Sequence, residues 1–336
     1  HAGGVRNWDY RFCWPRDAAM SAKALSLLGT NGPALKFLDW LLGILDRSEP
    51  GSFLSPVYTI TGGHLGPEGE VGELPGYRGS RPVRIGNAAA QQIQLDVFGP
   101  IVDLVALLAE QGAALSPEHW RMVDSMVNAI EGRWQEPDHG IWEVRRPRKH
   151  HVHSKVMCWQ AVDRAVAVAR YLGRRRPDWI ELRDRIAKDV LGHGWNPQKQ
   201  SFCATYEDSE PDASALSVGL SGMLPANDPR FLATIEFVER HLREGPTVYR
   251  YRYDDGLPGI EGGFHLCTTW LIEVYHLSGR RDEATKLFEQ YVSLIGPTGL
   301  LSEQYDSGYR RALGNYPQAY SHLGLINAAM RLEQAE

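Results

Sequence analysis

Val156-Met-Cys-Trp-Gln-Ala-Val-Asp-Arg-Ala-Val-Ala-Val-Ala-Arg-Tyr-Leu172 is apolar on most of its helical faces. Just beyond it, Trp179, Leu182, Ile186 and Val190 recur at helical spacing with charged residues between them. A helix of the first kind is enclosed, and one of the second kind is wet on one face. The two kinds then alternate to the end of the chain. Segments 154–172, 212–223, 263–278 and 317–333 read as inner helices, and 178–192, 228–243 and 281–295 as outer ones. The outer stripes are Phe231, Ile235, Val238 and Leu242, and Ala284, Leu287, Tyr291 and Leu294. Toward the N-terminus the periodicity predicts helices near 16–29, 32–47, 87–111 and 116–134. Short links follow each inner helix, and long loops rich in glycine and aromatic residues lead into the next. This is the pattern of an all-α ring of helical hairpins, a toroid whose inner helices run parallel. Strand-like alternation is scarce, with Thr247–Tyr253 the best short candidate. Eleven helices are one short of a twelve-helix ring, so a first helix before His1 is expected to be missing.

Composition narrows the functional classes. The 336 residues are 43% hydrophobic, enough for a sizeable core. Net charge is −5 with both signs dispersed, which argues against a nucleic-acid or membrane-surface partner recruited by charge. No apolar run reaches the roughly 18 residues of a membrane span. The four cysteines, Cys13, Cys158, Cys203 and Cys267, form no CxxC pair. They read as buried free thiols in a reducing compartment, so a cytoplasmic location is expected. The Gly- and Pro-rich stretch Gly51–Gly86 reads as an ordered functional loop, and the whole chain as a single domain.

Five loops precede predicted inner helices: Asn7–Asp17, Gly76–Asn87, His139–His153, Val248–Gly263 and Gly299–Pro317. Parallel inner helices gather them at one mouth. They carry Tyr10, Trp14, Arg16, Asp17, Arg81, Trp142, Glu143, Arg252, Asp255, Glu303 and Tyr305. Aromatic faces stack on the CH faces of sugars, while Arg forks and carboxylates bind hydroxyls. Glu143 and Glu303 each lie in a loop leading into a helix, and such a pair suits acid–base hydrolysis of a glycosidic bond. One carboxyl protonates the leaving oxygen and the other activates water. Blander readings exist for each residue. Trp14 and Trp142 could be core anchors, Arg16-Asp17 a helix-start pair, and Arg252 with Asp255 an ion pair bracing a turn. His150-His151-Val152-His153 lacks the partners of a zinc site, so no metal and no cofactor are expected. No GxSxG elbow, P-loop or GxGxxG occurs.

At these residues the sequence resembles the glycoside hydrolase family 15 enzymes: glucoamylases, glucodextranases and bacterial trehalases. The matching stretches are Asn7-Trp-Asp-Tyr-Arg-Phe-Cys-Trp-Pro-Arg-Asp17, Gly79-Ser-Arg-Pro-Val-Arg-Ile-Gly-Asn87, Gly140-Ile-Trp-Glu143, Tyr251-Arg-Tyr-Asp-Asp-Gly256, Ser302-Glu-Gln-Tyr-Asp306 and Pro317–Gly324. The resemblance implies an (α/α)6 barrel that cleaves α-glucosides from their non-reducing ends with inversion. It implies Glu143 as general acid and Glu303 as general base. It implies a glucose pocket from Arg16 and Asp17, an aromatic wall from Tyr10, Trp14 and Trp142, and sugar contacts from Arg81, Arg252, Tyr305 and Tyr320. Tyr320 falls where fungal members carry Trp. Val144 replaces a second Glu of the fungal enzymes, and Gly79 replaces a Trp. Both changes touch the leaving-group side. Bacterial members carry an N-terminal β-sandwich, which is expected to be absent.

The residues therefore predict an inverting exo-acting hydrolase of α-gluco-oligosaccharides, glucoamylase-like, with α,α-trehalase as the alternative. A sugar-binding or inactive fragment is a further alternative, and a toroidal prenyl enzyme lacks the aspartates it would need. Inversion implies carboxyls roughly 6.5–9.5 Å apart. Oligomeric state is not legible.

Overall fold

A computed structural model describes residues 3–48, 54–259 and 261–334. His1 and Gly51–Phe53, which the sequence reading invoked, lie outside the described residues. Eleven α-helices occur among them, and they fall in two compact units.

The first unit covers residues 1–188 together with 255–259. It holds α1 (Pro15–Leu27), α2 (Gly32–Leu45), α3 (Phe98–Glu110), α4 (Pro117–Arg133), α5 (Val152–Tyr171) and most of α6 (Pro177–His193). Pro stands at the start of α1, α2 and α4, where its missing N–H costs nothing and its φ is already helical. Ser116 caps α4 through a reciprocal capping box with His119. α3 and α5 form the apolar centre: 11 of 13 and 15 of 20 residues are buried. They approach closely, because a Cβ on Gly99 would lie 3.0 Å from Met157. Asp103 of α3 joins Lys23 of α1 and Arg164 of α5, the latter at 2.8 Å. Burial alone would raise the Asp103 pKa, but the two cations outweigh it and hold it below the ordinary value.

The second unit covers the described residues within 189–254 and 260–336. Its helices are α7 (Ser217–Leu220), α8 (Pro229–Leu242), α9 (His265–Leu277), α10 (Arg281–Val292) and α11 (Ala319–Leu332). α9 is central, with 11 of 13 residues buried, and packs against α8, α10 and α11. A three-stranded antiparallel sheet leads into it: β1 (Gly263–Phe264), β2 (Gln304–Asp306) and β3 (Arg311–Leu313), with Gly263 opposite Tyr305 and Tyr305 opposite Ala312.

The predicted stripes face inward. Trp179, Leu182, Ile186 and Val190 are buried, as are Phe231, Ile235, Val238 and Leu242. Each such side chain, fully buried, stabilises by roughly 1.5–3 kcal/mol. Ala284, Leu287 and Tyr291 are buried too, while Leu294 is half-buried. Three predicted elements differ. The helix expected over 87–111 begins only at Phe98, after short 3-10 turns, because Gln92 and Gln94 are extended. The helix expected over 212–223 is a 3-10 turn plus the single turn of α7, ended by Gly222 at φ +84°. The expected strand over 247–253 is reduced to Thr247–Val248, paired with Arg243–Glu244 through a turn at Gly245, and a single bridge from Tyr251 to Asp212. Cys158, Cys203 and Cys267 are buried free thiols, and Cys13 is half-buried. No helix among the described residues is long and apolar enough to cross a membrane.

Candidate active site

Three of the predicted loops meet in the first unit, around Glu143. The loop carrying it is pinched at its base, where Asp138 and Lys149 exchange backbone hydrogen bonds of 2.9 and 3.0 Å. Inside, Gly140 has φ +70° and Glu143 itself φ +58°. A left-handed non-glycine residue costs about 1–2 kcal/mol and persists only when its surroundings hold it. The amide of Gln92 does part of this, donating to the Glu143 carbonyl at 3.1 Å. Gly140 is needed as such: a Cβ there would lie 2.8 Å from the His151 ring.

The Glu143 carboxyl takes its contacts on one oxygen. Trp14 Nε1 donates to Oε1 at 2.7 Å, Gln94 Nε2 donates at 3.3 Å, and Arg16 Nη2 lies 3.7 Å away. A proton carried by this group therefore belongs on Oε2. Trp14 is the extended residue before Pro15, which turns its indole inward as α1 begins. Arg16 follows in the first turn and is buried. Its Nη1 donates to Gln94 Oε1 at 2.8 Å and to Asp96 Oδ2 at 3.1 Å. Asp17 lies beside it, 3.5 Å from Arg16 Nε. A buried polar layer backs these groups. His153 Nε2 is 4.0 Å from Asp96, and Lys155 donates to the carbonyls of Trp134, at 2.5 Å, and Glu136. Burial, reinforced by the Asp96 charge, pushes the Asp138 pKa up to about 7, although the Leu95 N–H donates to its Oδ2 at 2.9 Å.

Tyr10 is exposed, and its ring lies 5.7 Å from that of Trp14. Trp142 is buried. Arg81 is exposed, with Nε 3.4 Å from the Pro75 carbonyl. It helps to line a cavity of about 510 Å³ with Arg6, Trp8, Leu74 and Arg84. In the 150–153 cluster, His151 precedes α5 against Gly140, and His153 faces Asp96. Among the described residues no group of three or more His, Cys, Asp or Glu side chains could hold a metal ion.

In the second unit, the loop Gly299–Pro317 and the start of the loop Val248–Gly263 flank Glu303. Its backbone is strapped on both sides: Glu303 N donates to Asn315 O at 2.9 Å, and His265 N to Glu303 O at 3.2 Å. Asn315 N donates to the carboxylate Oε2 at 3.2 Å. Gly314, at φ +74°, allows this approach, since a Cβ there would stand 2.4 Å from Oε2. Tyr305 follows in β2, and its ring lies 6.4 Å from that of His265. Burial pushes the His265 pKa down to about 4, so it is neutral at pH 7. Tyr320 is buried in the first turn of α11.

The arginine beside Glu303 is Arg250, which the sequence reading did not single out. Its guanidinium pairs twice with Glu261, once at 3.0 Å, and covers the rings of Phe264 and Tyr251 at 4.9 and 5.2 Å. Burial works against its charge, but Glu261, and in part Glu303, hold its pKa well above the ordinary value. Arg252 lies at the surface instead, paired with Glu244 at 2.7 Å over the ring of Tyr249, and it is 47% exposed. It does not pair with Asp255, which Arg6 holds at 2.7 Å. Gln92 and Gln94 were also missed, because their segment read as helix.

Comparison with known proteins gives a consistent picture. The model of the family described as glycosyl hydrolases family 15 matches residues 2–330. The chain is 40% identical to a trehalase of Thermoplasma acidophilum, over 99% of this chain and 57% of that protein. It is 37% identical to a trehalase of Mycobacterium tuberculosis, over 99% of this chain and 50% of that protein. The chain thus spans about half the length of these curated relatives. A wild-type glycosidase structure superposes with a TM-score of 0.75 at 20% identity, covering 99% of this chain and 92% of that one. Glucoamylase from Saccharomycopsis fibuligera gives 0.73 at 13% identity, covering 98% and 89%. The fold is accordingly that of the glucoamylases, the (α/α)6 class that the family resemblance implied and that accords with the inner–outer alternation.

Proposed function

This chain belongs to glycosyl hydrolases family 15, and we propose that it hydrolyses an α-glucoside with inversion, α,α-trehalose first among candidates. Glu143 is the general acid. Its Oε2 proton passes to the glycosidic oxygen as the bond from that oxygen to the anomeric carbon breaks. Glu303 is the general base. It takes a proton from the water whose oxygen attacks that carbon on the opposite face. Arg16 and Asp17 hold hydroxyls of the glucosyl unit, Trp142 and Tyr10 line its apolar face, and Arg250 keeps a positive charge beside the base.

One observation carries the acid assignment: the donors of Trp14, Gln94 and Arg16 all converge on Glu143 Oε1. That arrangement orients the carboxyl and reserves Oε2 for the transferable proton. Trehalose is preferred because the relatives at 37–40% identity are trehalases. Val144 and Gly79, small residues on the leaving-group side, also suit a single leaving sugar. A glucoamylase-like action on malto- or isomalto-oligosaccharides is the second reading, favoured by the shared fold.

Early NMR spectra of digests of trehalose, maltose and isomaltose test both points. Inversion releases β-glucose from the cleaved unit, so trehalose gives α- and β-glucose in equal initial amounts. Initial release of α-glucose alone would mean retention and overturn the mechanism. Glu143→Gln and Glu303→Gln are each expected to lower kcat on the best natural substrate by at least about 100-fold, with KM nearly unchanged. Turnover close to that of the unmodified protein in either variant removes that residue from its role.

A further inference from the structure

Arg145 lies two residues beyond Glu143 and is bound across to another loop. Its guanidinium makes a bidentate pair with Glu68, Nη1 to Oε1 at 2.8 Å and Nη2 to Oε2 at 2.6 Å. The same guanidinium stacks on the ring of Trp8 at 4.2 Å. Arg84 stacks on that ring at 4.5 Å, and its Nε lies 3.7 Å from Glu68. Arg84 is fixed in turn by the carbonyls of Val5 and Asn7, at 3.3 and 2.7 Å. Glu68 also accepts the Ala88 N–H at 3.1 Å. Three segments, 5–9, 68–88 and 143–145, thus converge on one indole and one carboxylate.

We propose that Glu68, Arg145, Trp8 and Arg84 form a clasp that positions the Glu143 carboxyl for proton transfer, with Arg145 as its key positioning residue. This rests on the reading of Glu143 as general acid. The need for a clasp follows from the backbone. Glu143 is left-handed, at φ +58°, and relaxes from that conformation unless both sides of the turn are held. Gln92 holds the carbonyl of Glu143 itself. The Asp138–Lys149 pair closes the loop at its base, away from Glu143 on both sides in sequence. Within the turn, Val144 N donates to the His139 carbonyl at 3.3 Å. On the C-terminal side Arg145 is the nearest side chain that ties the turn to another loop. The Arg145 hydrogen bonds keep the Glu68 pKa below its ordinary value, so the pair stays charged across the neutral range. A partly exposed ion pair adds little to global stability. Its value here is geometric, because displacing a catalytic group by about 1 Å can lower a rate about 100-fold.

The test compares substrates that need the acid to different degrees. Fluoride leaves α-glucosyl fluoride with little proton assistance, whereas a sugar alkoxide needs it. Arg145→Met is expected to lower kcat about 30-fold on the best natural disaccharide but less than about 3-fold on the fluoride, with KM held within about 2-fold. Arg145→Lys keeps a charge but loses the fork and should fall between. Glu68→Gln keeps the shape of the partner and should show the same substrate split more weakly, with an unchanged melting temperature. It decides the matter if Arg145→Met does not fold. Glu143→Gln runs alongside as the reference. If Glu143→Gln loses equally on both substrates, the acid reading fails and takes the clasp with it. If Glu143→Gln shows the split while Arg145→Met and Glu68→Gln lose equally on both substrates, or lose nothing, the clasp alone is overturned.

Discussion

Trp14 directs its indole N–H to Glu143 at 2.7 Å, and that single contact can be removed without emptying the space. Trp14→Phe keeps an aromatic ring in the cluster with Val57 and Ala89. The carboxyl is neutral before it gives up its proton and charged afterwards. A hydrogen bond to a charged group is worth about 1.5–3 kcal/mol, so losing the contact as that charge develops should lower kcat by up to roughly 10- to 100-fold. Steady-state kinetics on the best disaccharide checks this, and an unchanged kcat would show that Gln94 and Arg16 orient the carboxyl alone. At this scale the sequence was informative where side-chain chemistry is rare. A Trp, an Arg and an Asp around a Pro, and a Glu beside a Trp, stand out on their own. It was silent on Gln92 and Gln94, whose amides look like ordinary helix residues until the fold turns them toward Glu143. It pointed to Arg252 and passed over Arg250, two residues away. Burial and the partner Glu261 separate them, and both come from tertiary structure.

The helices were legible wherever one face is apolar and the other charged, as in α6, α8 and α10. Where glycine or a functional polar residue interrupts the pattern, periodicity misleads. α7 is a single turn although its flanks look helical, and α3 starts late because Gln92 and Gln94 are drawn into the site. Glycines within helices carry a different message, that of close approach. A Cβ on Gly324 of α11 would stand 2.4 Å from Thr269 Oγ1 of α9. Gly324→Ala should therefore force the two helices apart or rotate Thr269, costing about 1–3 kcal/mol. Thr269→Ala removes the oxygen and should absorb part of that cost, giving a favourable coupling in a double-mutant cycle read by denaturant unfolding. Strict additivity of the two changes would mean that the helices do not meet as closely as the structure has them.

For the molecule as a whole, two buried aspartates of the first unit pull the pH dependence of stability in opposite directions. Asp103, held by Lys23 and Arg164, has a lowered pKa. Its contribution is present above the pKa of the unfolded chain and is lost as pH falls through the folded value. Asp138 behaves oppositely. Its pKa of about 7 in the folded protein stands above the ordinary 3.8. The folded protein keeps that proton while the unfolded chain releases it. The contribution of Asp138 is therefore complete below about pH 4, declines as pH rises, and is lost on passing about pH 7. Because the group is fully buried, solvent screening takes little from it, and the span amounts to something on the order of 4 kcal/mol. Asp138→Asn removes the titration while its side-chain oxygen can still accept the Leu95 N–H. Any packing cost of the substitution is the same at every pH, so only the trend matters. Unfolding free energies measured from pH 4 to pH 8 should show the variant gaining steadily on the unmodified protein, most steeply between pH 5 and 7. A gap that stays constant across that range would mean that Asp138 is already ionised in the fold, with a cation or water offsetting the charge of Asp96.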